Sequence, residues 1–326
     1  MKSILFILTI FALFSCNNVS DSVMPASKGK PGEVLIVMNK ANWESDAGII
    51  LKTELQKSYP GLPQDEPLFK ISQIPHIAFE NIFKQHRNII FTEVSTSYKK
   101  SEIIYQNNVY ASPQLIITIK AKSNKSLTKL IKQNISKIIN LIEGTEKTRL
   151  TNLYKKSENK DLCKLLEKKH GIKIIIPRNY KLFVDTNNFM WISYETPMIS
   201  QGLLIYWRNY TDTSQFNLSN LLNYRDSVLK LNVPGPAINS YMTTDRVHYL
   251  EFNKFYKNKK YYSEIRGLWN VKGDFMGGPF INLSVLDTIN NRIVTLDGYV
   301  YAPKYDKHSY IRELEAILYS VDFVKQ

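Results

Sequence analysis

The stretch VKGDFMGGPFINLS (residues 271–284) places three glycines within six residues, just ahead of a predicted strand. Gly273 and Gly278 have the spacing of the first half of a P-loop, which binds phosphate through backbone N–H groups, a lysine and a helix N-terminus. The next residue, however, is Pro279, which has no N–H to donate, and a strand rather than a helix follows. The sequence therefore argues against a phosphate site. It predicts that Gly277 and Gly278 adopt positive-φ turn or bulge conformations, or allow a close backbone approach.

Charged and aromatic residues lead into this glycine-rich loop, within EIRGLWNVKGD. A loop of this composition at the end of a sheet can bind a ligand. The candidate ligand-binding residues are Arg266, Trp269, Lys272, Asp274, Gly277 and Gly278. A structural pair of Arg266 with Asp274, beside a packed Trp269, would give the same pattern. We prefer the structural interpretation and keep both open.

Other signatures of catalysis are missing from the sequence. It contains no His-Glu-x-x-His, Gly-x-Ser-x-Gly or Cys-x-x-Cys motif, and no two of its histidines have metal-ligand spacing on one element. Cys163 and His170 share a helical face but lie two turns, or ~10 Å, apart. This spacing favours a small buried cysteine and a helix-end histidine before a Gly171 cap. The sequence predicts no catalytic residue, no metal and no cofactor.

The N-terminus, MKSILFILTIFALFSCNN, has the features of an export signal. A lysine precedes an apolar run over residues 4–13, about half the ~20 residues needed to span a bilayer. Leu13-Phe14-Ser15-Cys16 resembles the lipobox of bacterial lipoproteins, in which the cysteine becomes the acylated N-terminus. The alternative is an ordinary secretory signal with a chance cysteine. We predict a signal peptide over residues 1–15, lipid attachment at Cys16, and a flexible tether up to residue 32.

The residues after Cys16 indicate a location. Asn17 is not the aspartate that would resemble an inner-membrane retention signal, and NNVSDS is poor in acid, unlike some surface-export signals. We therefore expect an outer-membrane lipoprotein that faces the periplasm and contacts the membrane through its lipid. With Cys16 acylated, the only other cysteine, Cys163, could form no internal disulfide.

The formal net charge of +14 requires an explanation. We do not expect nucleic acid binding, because the sequence begins with the features of an export signal. Attraction to an anionic lipid or glycolipid surface remains, and the basic hairpin KFYKNKKYY (residues 254–262) is the best candidate for it. The lysines are otherwise dispersed along the chain, which favours solvated faces and a compositional bias over a binding surface.

Hydrophobic periodicity predicts an α+β fold with two lobes. Residues 33–170 alternate strands and helices, which predicts an α/β-like lobe with parallel pairing. Its clearest helix carries one apolar stripe that begins at Leu127. Residues 171–326 contain long strands joined by short turns, which predicts a mainly antiparallel sheet with packed helices. On the last helix, Glu315 lies at the edge of the apolar stripe, so we expect it to be partly buried beside a cation.

Six segments carry a family resemblance: VMNKANWE, PGLPQDEPLF, KQHRNIIF, RGLWNVKGDFMGGPF, DGYVYAP and IRELEAILYS. Together they resemble the Bacteroidota envelope proteins catalogued as domain of unknown function 4837 (DUF4837), over essentially the whole mature chain. The resemblance implies a lipoprotein setting and a shared fold, and it implies no activity. The C-terminal lobe also resembles the Mog1/PsbP-like sandwich in its strand order and final helix.

These features favour a cell-envelope lipoprotein that acts as a non-enzymatic binding or interaction module. Its partner would be a protein or a small-molecule ligand. The alternative is a hydrolase-like enzyme whose dispersed active site lies near the glycine-rich loop. An enzyme requires a deep pocket on which acids or bases converge, whereas a binding module requires a groove or an apolar patch.

Overall fold

The computed structural model describes residues 24–248 and 250–325. The predicted signal peptide and Cys16 lie outside the described residues. The strands form two large sheets, and the helices pack against them. This arrangement confirms the α+β prediction. Within these described ranges, no helix combines the length and the apolar character needed to cross a membrane.

The N-terminal half is built on a five-stranded sheet. Its elements are β1 (Glu33–Val37), α1 (Lys40–Trp43), α2 (Asp46–Leu55), β2 (Lys70–Ile74), β3 (Asn88–Val94), β4 (Glu102–Asn107), β5 (Leu115–Ala121), α3 (Asn124–Lys156) and α4 (Lys160–His170). The strand order is β2-β1-β3-β5-β4, parallel except for β4. The predicted parallel pairing is confirmed. The short edge strand β2 was not predicted, because it is too polar and too short to show a clear period.

Local residue choice sets the limits of the helices. Ser123 caps α3 by accepting the N–H of Ser126 in a capping box. Gly171 ends α4 with a φ of +65°, as predicted. The sequence from Ile77 to His86 also predicts a helix, and this prediction is wrong. Two 3-10 turns take its place, because Asn81 has a φ of +37°, which a right-handed helix does not accommodate.

The C-terminal half is built on an eight-stranded antiparallel sheet. Its elements are β6 (Ile172–Lys173), β7 (Lys181–Asp185), β8 (Phe189–Glu195), β9 (Ser200–Asn209), α5 (Leu218–Asn232), β10 (Tyr241–Thr244), β11 (Glu251–Lys257), β12 (Lys260–Lys272), β13 (Gly277–Asp287), β14 (Arg292–Tyr301), α6 (His308–Leu318) and β15 (Asp322–Phe323). The order is β10-β12-β13-β14-β9-β8-β7, and β11 shares the outer edge of β12 with β10. The predicted mainly antiparallel sheet is confirmed, but it is not a single meander, because β9 pairs with β14, which is not its neighbour in the chain.

Both faces of this sheet are covered. One face packs against α6 and the N-terminal half through residues such as Leu283 and Leu296. The opposite face packs against α5 through residues such as Ile265 and Trp269. Because side chains alternate along a strand, neighbouring residues of β12 enter different layers of the protein.

The two predicted lobes share one hydrophobic core. A single cluster of buried residues includes Val34 of β1, Ile138 of α3, Leu314 of α6 and Leu296 of β14. The proposed tether also overlaps the folded part. The N–H of Ser112 donates to the backbone oxygen of Pro25 at 2.8 Å, and that of Lys28 to Gln85 at 2.7 Å. The segment 25–30 therefore lies against the first sheet.

Candidate functional site

The strand β12 separates the predicted site residues. Arg266 faces α6, whereas Trp269 faces α5, because three positions along a strand reverse the side-chain direction. Arg266 Nε donates to Glu264 Oε1 at 2.8 Å, and Arg266 Nη2 lies 3.1 Å from Glu315 Oε1. The expected cation beside Glu315 is therefore confirmed, and the alternative pairing of Arg266 with Asp274 is wrong.

Arg266 belongs to a group of buried and partly buried charges between α3, α6 and β12, which we name the buried ion cluster. Its members are Glu143, Lys147, Glu264, Arg266, Arg312 and Glu315. Burial alone would raise the pKa of Glu315, but the charges of Arg266 and Lys147 outweigh it and lower that pKa to about 2. Burial raises the pKa of Glu143. Three anions and three cations balance here, which indicates a structural role in joining the two halves.

Lys272 ends β12 and Asp274 lies in the glycine-rich loop that follows, and the two side chains make different contacts. Asp274 Oδ1 accepts the backbone N–H of Phe275 at 2.6 Å and that of Met276 at 3.3 Å, so this carboxylate closes its own turn. Lys272 is exposed, and its Nζ lies 5.9 Å from the centre of the Tyr241 ring. Neither side chain meets Arg266, so the six candidates do not form one site.

The prediction of positive φ at Gly277 and Gly278 is wrong, because both are extended residues of β13; Gly273 has the positive φ, +89°. The predicted close approach is confirmed. A Cβ on Gly278 would lie 2.1 Å from the Val300 oxygen and 3.2 Å from Trp269 Nε1. Trp269 Nε1 donates to that same oxygen at 3.3 Å. Because Gly278 has no side chain, it leaves room for the Trp269 indole next to the Val300 oxygen.

Trp269 leads to the best candidate site, a cleft of about 500 Å³ at the end of the C-terminal sheet. We name it the aromatic cleft. Its lining residues are Trp191, Glu195, Thr196, Pro197, Met198, Ile199, Ser200, Val233, Pro234, Gly235, Pro236, Met242, Trp269, Val271, Met276, Tyr299 and Tyr301. The sheet provides the floor. The β8–β9 turn forms one wall, and the segment after α5 forms the other.

The floor consists of aromatic rings that hold one another. The Trp269 and Tyr299 rings meet edge to face with centroids 5.7 Å apart. Trp191 Nε1 donates to the Tyr299 hydroxyl at 3.1 Å. A Cβ at Gly202 would lie 1.9 Å from the Tyr299 ring, so only glycine leaves room for that ring. Burial raises the pKa of Tyr299, which keeps its hydroxyl protonated.

Charged groups are few among the described lining residues, and most of the polar side chains there are bonded to other protein atoms. Glu195 is the only carboxylate among the described lining residues, and none of them is lysine, arginine, histidine or cysteine. Glu195 Oε1 accepts from Ser193 Oγ at 2.7 Å and from Ser200 Oγ at 2.8 Å. The cleft can therefore surround an apolar or aromatic group, and it offers little for acid–base chemistry.

A second group of possible ligands, missed by sequence reasoning, lies at the start of α6. Glu66, Asp306 and His308 each place one ligand atom within 4.8 Å of the others. Glu66 also accepts the backbone N–H groups of Lys307 at 2.7 Å and His308 at 2.8 Å, and contacts His308 Nδ1 at 2.8 Å. A carboxylate in this position stabilises the positive end of the helix dipole. We therefore interpret Glu66 as a helix cap supplied from a distant loop.

The remaining sequence candidates have structural explanations. Burial raises the pKa of the Cys163 thiol, which is the opposite of an activated nucleophile. His170 Nε2 lies 3.0 Å from Asp185 Oδ1, and burial lowers the pKa of the His170 imidazole. These contacts favour the structural interpretation of this helix over a Cys–His pair.

The basic hairpin closes at Asn258 and Lys259, which both have positive φ, 50° and 62°, as in a two-residue type I′ turn. Three of its four lysines have partners within the protein. Lys254 donates to Asn217, Lys257 lies over the Tyr319 ring, and Lys260 pairs with Asp322. These contacts weaken the case for this hairpin as the anionic lipid surface.

Several solved structures are similar to about half of the chain. They include PsbP of the cyanobacterium Synechocystis sp. PCC 6803 (13% identity, 48% of this chain and 89% of that chain, TM-score 0.31). They also include the Ran-binding protein Mog1p of Saccharomyces cerevisiae (9%, 48% and 93%, TM-score 0.32) and LpqN of Mycobacterium tuberculosis, described as involved in cell envelope biogenesis (11%, 47% and 83%, TM-score 0.29). Both folds expected from the strand order occur among them, and at these scores they carry no argument about function.

No curated protein matches the chain in a sequence search. Two family models do. Residues 27–155 match the domain of unknown function DUF8532, and residues 159–320 match DUF4837. The resemblance expected over the whole mature chain is thus corrected, because VMNKANWE, PGLPQDEPLF and KQHRNIIF fall within the other model. The C-terminal half, which contains the aromatic cleft, belongs to the DUF4837 family.

Proposed function

We propose that this protein is a binding module of the cell envelope whose aromatic cleft accepts a hydrocarbon chain. The aromatic cleft itself carries the proposal. Its volume of about 500 Å³ lies within the range of small-molecule sites, roughly 300–1,000 Å³. The cleft lies between the end of the C-terminal sheet, the β8–β9 turn and the segment after α5. The rigid sheet therefore forms its floor, and the two loops form its walls.

The lining favours an acyl chain over a sugar or an anion. Four aromatic rings and three methionines contribute to it. Methionine side chains are flexible and polarizable, so they adapt to chains of different shape. A sugar site would need several free hydrogen-bonding groups, yet Glu195, the one carboxylate among the described lining residues, already accepts two serine hydroxyls through Oε1. An anion site would need a cation, and the described lining residues include none.

The same lining bears on the alternative of a hydrolase-like enzyme. Hydrolysis requires a nucleophile beside a general base, together with donors for the developing negative charge. Of the charged residues nearest to the glycine-rich loop, Arg266 is paired with Glu264 and Glu315, Asp274 accepts N–H groups of its own turn, and Lys272 is exposed outside the lining of the cleft. We therefore give the binding role precedence.

A displacement experiment tests the cleft. N-phenyl-1-naphthylamine, which fluoresces in apolar sites, is bound to the full-length protein and displaced with decanoate. Tyr301→Ala is expected to weaken decanoate binding about tenfold, because a half-buried ring of the floor is lost without opening the core. Tyr256→Ala is the matched control, since that tyrosine is exposed on the basic hairpin, outside the cleft. Equal affinity for all three proteins, or no saturable binding, would reject the cleft as the site.

We further propose that the chain is an outer-membrane lipoprotein that faces the periplasm, attached through Cys16. The short apolar run and the lipobox-like residues before Cys16 support this. Mass spectrometry of the mature N-terminus is expected to find an acylated Cys16, and Cys16→Ala should release the protein into the soluble fraction. An unmodified thiol or cleavage at another residue would contradict the proposal, and Cys163→Ala serves as the control.

A further inference from the structure

The mouth of the aromatic cleft carries apolar side chains that project into solvent. Phe275 is fully exposed (107%), Ile238 is 94% exposed and Met198 is 40% exposed. They lie in three separate loops: the β12–β13 turn, the α5–β10 loop and the β8–β9 turn. We name these three residues the apolar rim.

Strand register places the three loops at one end of the C-terminal sheet. Ser200, at the start of β9, pairs with Tyr301 at the end of β14. Gly277, at the start of β13, pairs with the end of β12, and Tyr241 of β10 pairs with Lys272. The α5–β10 loop and the β12–β13 turn are also direct neighbours, because a Cβ on Gly273 would lie 3.5 Å from Ser240 Cβ. The rim therefore surrounds the entrance to the cleft.

Cations lie directly behind the rim. The ammonium groups of Lys230 and Lys272 lie 5.6 Å and 5.9 Å from the centre of the Tyr241 ring. Both lysines are exposed. Of the described carboxylates at this end of the sheet, Asp274 accepts N–H groups of its own turn and Glu195 Oε1 accepts two serine hydroxyls. Apolar tips backed by an aromatic ring and lysines form the pattern of proteins that enter the interface of a bilayer.

We propose that the apolar rim inserts into an anionic phospholipid bilayer, so that the aromatic cleft takes its acyl chain directly from the membrane. This inference rests on the proposed function of the cleft. Single exposed apolar residues are ordinary, but three around one apolar entrance are not. A bilayer fits these tips better than a folded partner does, because protruding, separate side chains need no complementary surface in a fluid layer. The net charge of +14 also favours an anionic membrane.

Transfer of a fluorescent fatty acid tests the proposal with the full-length protein. Anthroyloxy-labelled palmitate is placed in phosphatidylglycerol vesicles that contain a lipid-linked quencher, and its fluorescence rises when it moves into the protein. The double variant Ile238→Ser/Phe275→Ser is expected to slow transfer about tenfold, since the loops no longer gain by burial in the lipid. Its affinity for decanoate in solution should equal that of the unaltered protein, because neither residue lines the cleft.

The matched control is Ile77→Ser/Ile82→Ser, which removes two exposed isoleucines from the N-terminal half. Any N-terminal anchor is the same in all three proteins, so its contribution cancels. Transfer by the control should match that of the unaltered protein, and transfer from neutral phosphatidylcholine vesicles should be slower. Equal rates for the rim variant and the unaltered protein, or equal slowing by the control, would overturn the rim proposal alone. Absence of decanoate binding in the unaltered protein would overturn the cleft instead.

Discussion

Replacing Arg266 by alanine is expected to lower the free energy of unfolding by about 3–5 kcal/mol, because Glu264 and Glu315 would remain buried without their shared cation. Urea denaturation followed by circular dichroism measures the change. Lys272→Ala, on the same strand but exposed, is the control and should stay within about 0.5 kcal/mol of the unaltered protein. If Arg266→Ala unfolded like the control while losing ligand binding, Arg266 would be a binding residue and not a structural one.

The pH dependence of stability provides a second measurement on the same variant. The pKa of Glu315 is about 2, below its ordinary value of 4.5, so folding favours its ionised form. Its contribution to stability is therefore fully present above pH 4.5 and is lost as the pH falls towards 2. Glu143, whose pKa burial raises, contributes with the opposite sign. In Arg266→Ala the loss of stability between these pH values should be smaller, and an unchanged acid profile would show that Arg266 does not hold the Glu315 charge.

Arg225→Ala is the second substitution expected to cost about 3–5 kcal/mol, because it would strand a charge in the interior. Arg225 Nε donates to Asp297 Oδ2 at 2.6 Å, and both side chains are completely buried between α5 and the sheet. The guanidinium also donates to Thr244 Oγ1 at 2.8 Å and lies 3.8 Å from the centre of the Phe280 ring. No other cation is within hydrogen-bond distance of Asp297 among its described contacts.

A double-mutant cycle separates the charge from the packing. Adding Asp297→Asn to Arg225→Ala should recover part of the lost stability, because a neutral amide costs less to bury unpaired than a carboxylate. Thermal and urea unfolding of the four proteins give the coupling energy. Strictly additive losses would mean that Arg225 acts through packing against Phe280 alone. Because α5 leads directly into the wall of the aromatic cleft at Val233, decanoate binding should weaken in Arg225→Ala and recover with stability in the double variant.

Much of the fold follows from local patterns. The capped stripe of α3, the αL glycine at Gly171 and the alternation of the long strands are all short-range signals, so they are visible in the sequence. The need of Glu315 for a cation was also predictable, since a carboxylate at the edge of an apolar stripe must be compensated. The identity of that cation was not, because it depends on how β12 and α6 pack across the sheet.

The candidate site was only partly visible. Side chains alternate along a strand with a period of two, so the sequence alone places Arg266 and Trp269 on opposite faces of the sheet. The prediction that put both residues in one site did not use this period. Trp269 does belong to the cleft, and the family segments RGLWNVKGDFMGGPF and DGYVYAP supply part of its lining. The walls around Met198 and Pro236 come from loops that meet only in the folded protein. No sequence pattern links them to the floor.

The core shared by the two halves has a consequence for how this protein can evolve. The family models meet between residues 155 and 159, yet the cluster that contains Val34 also contains Leu296. A substitution in the core beside α6 therefore also changes the packing of α3, so the residues that one half can accept depend on the residues of the other half. A chimera could combine residues 27–155 from one family member with residues 159–320 from another. Its two core surfaces would not have evolved together and would pack poorly, so we expect the two segments to be inherited together.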